Sequence, residues 1–302
     1  MLGLMMLVLL PFNTADSIFG HLLEPVIGDP AESGVLGRLA TGFIIALIFV
    51  INIVGIGAVP ERLRLPIIWF ELTVLFGASF LAFNLSIEFI KSKFWFLITQ
   101  GLFTTLYISA ISIAFAFILA ITGAIAKLSS NAFAYGIASF YTSLFRGLPL
   151  LVQLYIIYLG LPQLGYVIGA VPAGVIALSL CYGAYMTEIF RAGIQSIPKG
   201  QWEAARSIGF SFPKIMRRII LPQAVPLIIP PTGNQFIAML KDSSLVSVIG
   251  VWELMFLART LGTKTFNHME MLVTVALIYW VLTVLLESVQ SRIERHYQKS
   301  TR

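Results

Sequence analysis

The sequence specifies an all-α protein that crosses a membrane several times, and three observations carry that reading. Hydrophobic residues make up 58% of the 302 residues and charged residues only 11%, where a soluble domain carries about 25% charged residues. Apolar runs of spanning length, about 20 residues each, recur along nearly the whole chain. The basic residues gather in the polar stretches between those runs, as loops held on one side of a membrane require. A soluble enzyme, a disordered chain and a fibrous protein are excluded by the same composition. The net charge of +6 reflects loop lysines and arginines rather than an affinity for nucleic acid.

The expected spans are 37–59, 67–88, 98–126, 132–162, 167–190, 223–250 and 271–290. The fourth and sixth are interrupted by glycine and proline, so each is either a broken helix or a helix with an amphipathic lead-in. Met1–Leu10 is apolar but too short to span, and Pro11 interrupts it. The first basic residue is Arg38, so the positive start of a signal peptide is missing and a short buried or re-entrant helix is expected instead. Residues 12–35 hold Asp16, Glu24, Asp29 and Glu32 without Lys or Arg, which suits an outside tail. Threading from there places Arg62, Arg64, Lys127, the basic 191–222 loop and the C-terminal Arg292, Arg295, Lys299 and Arg302 in the cytoplasm. Lys91 and Lys93 fall outside and oppose that bias. The short polar stretch Lys91–Ser92–Lys93 is read as the join between two N-terminal spans and the rest. The expected organisation is therefore an extension over 1–93 with about two spans, a five-span unit over 94–295 and a cytoplasmic tail over 296–302.

Cysteine and histidine carry no site. Cys181 is alone within a span, and His21, His268 and His296 stand far apart at no metal-ligand spacing, so neither a disulfide framework nor a metal is expected.

The most informative stretch is the cytoplasmic loop Ser196–Pro222. Read physically, it is two short helices meeting at a corner. Pro198 suits the start of the first, and Gly209 stands where a left-handed terminating residue belongs. Ser211 is placed to cap the second, Pro213 lies in its first turn, and Pro222 discourages its continuation. Trp202, Ala205 and Ile208 recur at helical spacing beside Glu203 and Arg206. Such a pair, held between two spans, presents a rigid knob to a cytoplasmic partner. Its helix-turn-helix look does not make it a DNA reader, because the flanking spans leave no room for a duplex.

Glu203–Ala204–Ala205, Gly209, Ile219 and Leu221–Pro222 fill every fixed position of the EAA loop, and on them the chain resembles the ATP-binding cassette importer permeases. Phe145–Gln153, Tyr185–Arg191 and Leu240–Leu254 resemble the polar amino acid branch of that family, and the likeness covers roughly residues 95–295. It implies a type I permease with a five-span core that works as a pair, with itself or with a second permease. It also implies two ATPase subunits beneath and an extracytoplasmic amino acid-binding protein, in a bacterial inner membrane. In that family the EAA loop docks on the ATPase, so the resemblance assigns coupling to Trp202, Glu203, Ala204, Ala205, Gly209, Ile219, Leu221 and Pro222. The chain has no phosphate-cradling G-x-x-x-x-G-K-[ST] run; ATP and Mg²⁺ are then expected on the partner ATPase, and no cofactor on this chain. The core pattern says nothing of residues 1–93.

Charged groups within a membrane cost about 2.5–3.5 kcal/mol each even on the mildest scale, so they mark function by default. Asn234 and Gln235, in the helix-breaking Pro230–Pro231–Thr232–Gly233–Asn234–Gln235 stretch, and Lys241, Asp242, Ser243 and Ser244 after it are candidates for the translocation route or its gate. An interfacial pair capping an outer helix end is the alternative. Arg146 and Gln153 are similar candidates, against a cap for the preceding helix. Glu188 and Arg191, one turn apart, are read as a local ion pair. An ion-driven secondary transporter or channel would need no EAA loop, and a membrane enzyme would need clustered acidic or histidine residues that the chain lacks.

Overall fold

The computed structural model describes residues 34–81 and 85–299, and the expectations for the first ten residues and the acidic tail lie outside them. The described residues are helical, with no strand among them. Two compact units divide between Leu85 and Ser86.

The first unit contains α1 (Gly34–Ala58) and α2 (Glu61–Leu81). Arg64 closes their tight connection by donating from Nε to the Val59 carbonyl at 2.8 Å and from Nη2 to that of Gly57 at 2.9 Å. These bonds satisfy carbonyls that the end of α1 leaves orphaned. Asn52 Nδ2 donates to Glu71 Oε1 at 2.9 Å, so the carboxyl of α2 has a partner on α1.

The second unit begins with α3 (Ile87–Leu128), one continuous helix with a wide π-turn at Leu97–Leu102. Lys91–Ser92–Lys93 therefore lies inside a helix, not in a linker, and Glu88 belongs to the first turn of α3 rather than to the N-terminal hairpin. The expected linker rested on polarity alone, which a helix end at a membrane surface also shows. Next come α4 (Ala132–Gly147) and α5 (Leu150–Leu164), bent by 106° across a short break. They are followed by α6 (Ala170–Gln195) and the short α7 (Lys199–Ser207). Then α8 (Phe212–Ile249) and α9 (Leu254–Thr265) form a second bent pair at 48°, and α10 (His268–Lys299) ends the unit. Counting each bent pair once gives five crossings in this unit, and α1 makes a sixth. α2, with Arg64 and Glu71, is not among the helices apolar enough to cross.

The core is built on the pairing of α3 with α6, which touch along their lengths. Ala116, Ala120, Gly123 and Ala124 on α3 meet a face of α6 that carries Ala173, Ala177, Cys181 and Ala184, all buried. In lipid there is no hydrophobic drive between helices, so small residues that let backbones approach supply the packing energy. Gly123 is the tightest point: a Cβ there would stand 2.6 Å from Thr187 Oγ1. Around the pair, α4 is tied by Tyr141 Oη, which donates to the Leu180 carbonyl at 2.8 Å. The start of α9 is tied to α3 by the Leu254 amide, which donates to Thr105 Oγ1.

Replacing Gly123 with Ala is expected to lower the thermal stability of the purified chain, by about 1–3 kcal/mol as overpacking does. Thr187→Ala in the same chain removes the atoms it meets and should recover most of the loss. Two additive losses in that double variant would show that the contact is not what limits the packing.

Candidate functional site

The loop between α6 and α8 folds as the spacing of its residues predicts. α7 ends in a pair of bonds, the Phe210 amide to the Ala205 carbonyl at 3.1 Å and the Gly209 amide to that of Arg206 at 2.9 Å. This is the Schellman ending, and it places Gly209 at φ +76°. A β-branched residue resists that conformation. The three-residue gap between Ala205 and Gly209 is thus the length the motif needs. Ala205 is buried with Ile194, Ile197, Ile215, Ile220 and Ala224, beneath the half-buried Trp202 and Ile219. That cluster fastens α7 to the ends of α6 and α8. Glu203, Ala204, Ser207 and Ile208 face outward, with Ile208 65% exposed. Ile208 therefore leaves the buried stripe that its helical spacing predicts, because the helix turns its last residues away at the corner.

Two details of the loop differ from expectation. Ser211 stands at the helix start but its hydroxyl makes no cap bond. Pro222 does not end the second helix, which runs through it after a π-turn at Met216–Ile220. In that wide turn Gln223 Nε2 donates to the Ile219 carbonyl at 2.7 Å, supplying a partner beside the missing proline N–H.

A second constellation lies at the α4–α5 bend. A cavity of about 480 Å³ is walled there by Arg146, Gly147 and Leu148 from the bend, Tyr182 and Tyr185 from α6, and Gln235 and Asp242 from α8. The volume is that of a small-ligand pocket. Arg146 lies over the Tyr185 ring, 5.5 Å from its centre, and Tyr182 Oη donates to Asp242 Oδ2 at 2.7 Å. One guanidinium, one carboxylate, one amide and two phenols thus line the space. Gln153 is buried beside it and donates through Nε2 to the carbonyls of Phe145 and Leu148, each at 2.9 Å. Those carbonyls are the ones that α4 leaves unpaired where it stops, so Gln153 holds the bend and does not line the cavity.

Glu188 joins this region to the C-terminal end of α3. Its Oε1 pairs with Lys127 Nζ, its Oε2 accepts from Arg191 Nε at 2.8 Å, and Arg146 Nη1 stands 3.9 Å away. The local pair with Arg191 is present as expected, and it is one arm of a four-residue cluster. Lys127 Nζ also donates to Thr142 Oγ1 at 3.0 Å, which brings in α4.

Of the candidate route residues, Arg146, Gln235 and Asp242 come together in the cavity. Lys241 points to the exterior, Ser243 is buried and donates to the Leu240 carbonyl, and Ser244 is half-buried. Asn234 accepts from Gln290 Nε2 at 2.9 Å, an α8–α10 contact. The sequence reading missed Tyr182 and Tyr185 as cavity walls and Lys127 as the partner of Glu188. Tyr182, Tyr185 and Glu188 recur at i, i+3 and i+6 on α6, a faint signal for one helix face.

Residues 112–299 match the family described as binding-protein-dependent transport system inner membrane component. The chain belongs to that family. The permease is 40% identical over 213 residues to the L-cystine transport system permease protein TcyB of Bacillus subtilis, covering 70% of this chain and 91% of that one. It is 44% identical over 199 residues to the arginine transport system permease protein ArtQ of the same organism, covering 66% and 91%. A solved amino acid ABC transporter with histidines matches at a TM-score of 0.67 and 38% identity, over 70% of this chain and 99% of its own. The chain is thus a multi-pass amino acid ABC transporter permease, a transport subunit with the five-span core described above. The family match begins at residue 112, within the second unit.

Glu188→Gln is expected to destabilise the permease by roughly 3 kcal/mol, since it leaves the largely buried Lys127 without its counter-charge. Lys127→Met added to that variant should restore much of the loss, measured as thermal unfolding in detergent. No recovery would separate the two residues energetically.

Proposed function

We propose that the permease imports amino acids by ATP-driven alternating access, coupled through the EAA loop to a separate ATPase. The observation that carries this reading is α7 itself, a short helix closed by its left-handed ending, pinned by Ala205 to the ends of α6 and α8, and showing Glu203, Ala204 and Ile208 outward. An ion-driven transporter has no use for such a knob. The partner ATPase would hold ATP and Mg²⁺ in its own phosphate-binding loop. Its closure would press on α7, which is joined through the corner to α8, and α8 reaches Asp242 in the cavity. Access then switches sides by differential contacts in two states.

The cavity supports the substrate class. A free amino acid carries a carboxylate and an ammonium group on one carbon at neutral pH, and the cavity offers Arg146 to the first and Asp242 to the second. Tyr182, Tyr185 and Gln235 provide further polar contacts. We infer that these five residues line the transport route when two permease subunits, identical or similar, enclose it about an approximate two-fold axis. An extracytoplasmic binding protein would deliver the substrate on the face opposite α7. We infer that the C-terminus lies in the cytoplasm of a bacterial inner membrane, with the five crossings of the second unit starting from the outer face.

Gly209→Val should insert normally yet abolish uptake of labelled amino acid in proteoliposomes holding the whole complex. Wild-type uptake would sink the coupling role of the corner. Glu203→Lys should reduce co-purification of the ATPase in mild detergent, and unchanged stoichiometry would remove Glu203 from the interface. Asp242→Asn should lower uptake at least about tenfold, the loss of one charge-assisted contact, with ATPase docking intact. Uptake unaffected by Asp242→Asn would take the carboxylate out of the route.

A further inference from the structure

A second, larger cavity among the described residues lies away from the amino acid route. It is a groove of about 1410 Å³ between the cytoplasmic half of α3, the first half of α8 and the end of α10. Its walls are almost wholly apolar, with Phe117 and Ile121 from α3, Ile229 and Phe236 from α8 and Val289 from α10. At one end the character changes. Ser129 and Ser130 follow the end of α3, and Arg206 of α7 and Arg217 at the start of α8 complete that rim. Neither guanidinium has a carboxylate within ion-pair distance among the described residues. No acidic side chain lines any part of the groove.

We propose that this groove is a binding site for an anionic phospholipid of the cytoplasmic leaflet, its phosphate held by Arg206 and Arg217 and an acyl chain laid along the apolar walls. Three observations meet here. The first is charge: two unpaired guanidiniums with neighbouring hydroxyls match a phosphodiester, which is recognised by this kind of donor set. The second is length. From Leu128 to Phe117 the α3 wall rises about 16 Å at 1.5 Å per residue, and one leaflet of the hydrocarbon core is about 15 Å deep. The groove thus runs from headgroup level to the bilayer midplane. The third is polarity: away from that rim the walls carry almost no polar side chain, which suits acyl chains. Basic pockets between spans on the cytoplasmic side suit anionic headgroups in particular.

The placement has a consequence. Arg206 belongs to α7 and Arg217 to the π-turn that starts α8, so the headgroup would bridge the coupling helix to the helix that reaches the cavity. Phe212, which also lines the groove, stacks on Trp202 at 6.4 Å between ring centres. The lipid would then brace the knob against α3 and α10.

The leaflet assignment rests on the cytoplasmic placement of α7 proposed above, and the binding itself does not. The test is native mass spectrometry of the full chain, purified from nanodiscs of phosphatidylcholine with phosphatidylglycerol. The wild-type permease should retain phosphatidylglycerol in preference to phosphatidylcholine. Arg206→Gln with Arg217→Gln should reduce that retention by roughly thirtyfold, as loss of two cationic contacts implies. Ile229→Trp, which fills the groove without touching the charges, should reduce retention of both lipids there. Excess inorganic phosphate should not displace the bound lipid; displacement would show a plain anion site and overturn the proposal. Equal retention by all three proteins would overturn it. So would a wild-type chain that carries no lipid while a photo-crosslinker at position 229 joins another polypeptide. Failure of the ATPase to co-purify would defeat the coupling reading while leaving the lipid count unchanged, so the two are separable.

Discussion

The close approach of α3 to α6 is the contact on which the rest of the permease depends. It is made of alanine, glycine and a few hydroxyls, since in lipid only tight packing and hydrogen bonds distinguish a neighbouring helix from acyl chains. Once those backbones are close, Lys127 near the end of α3 lies against Glu188 of α6, and the cluster with Arg191 and Arg146 can form. A wider separation would leave those charges unpaired at membrane depth, where each is expensive. The small-residue face therefore decides where the ionisable groups can be tolerated.

The ionisable groups in turn shape the cavity. Glu188 is shared among three cations, and one of them, Arg146, is also a wall of the cavity. The guanidinium stands 3.9 Å from Glu188 and lies over the Tyr185 ring, at the wall of the space. Asp242 across the cavity is held by Tyr182. Both charges are thus fixed by neighbours on α6 before any substrate arrives, which lowers the cost of organising a site on binding.

Legibility in the sequence followed the range of the interaction. The EAA loop was readable because its logic is local: proline at a helix start, glycine at a left-handed ending, alanine on the buried side, all within one corner. The five-span core was readable because spans are long apolar runs. Cavity partners were not, because Tyr182 reaches Asp242 across 60 positions of chain and Lys127 reaches Glu188 across 61. No local pattern ties such pairs. Gln153 was legible as important yet not in its role, since one polar residue near a proline break serves equally to line a route or to cap a helix. Lys91–Ser92–Lys93 and Pro222 misled for a common reason. Polarity and proline mark breaks only on average, and here a helix end near the membrane surface and a π-turn accommodate them.

The second of those departures bears on how the machine is coupled. Had the helix stopped at Pro222, the knob and the cavity would belong to separate elements joined by a flexible turn. Instead α8 runs from Phe212 through the π-turn to Asp242, on the order of 45 Å of continuous helix. Its prolines at 226, 230 and 231 interrupt hydrogen bonding without ending it. Gln290 Nε2 meets the Pro230 carbonyl and Asn234 Oδ1, so α10 steadies the helix near that weakened stretch. Under the proposed coupling, a displacement at α7 would be delivered to Asp242 through one bendable lever, with its softest point beside the α10 contact. The groove flanked by Arg206 and Arg217 lies along the lower half of the same lever. Whatever fills it sets how far that half can swing, so membrane composition and coupling would act on one helix.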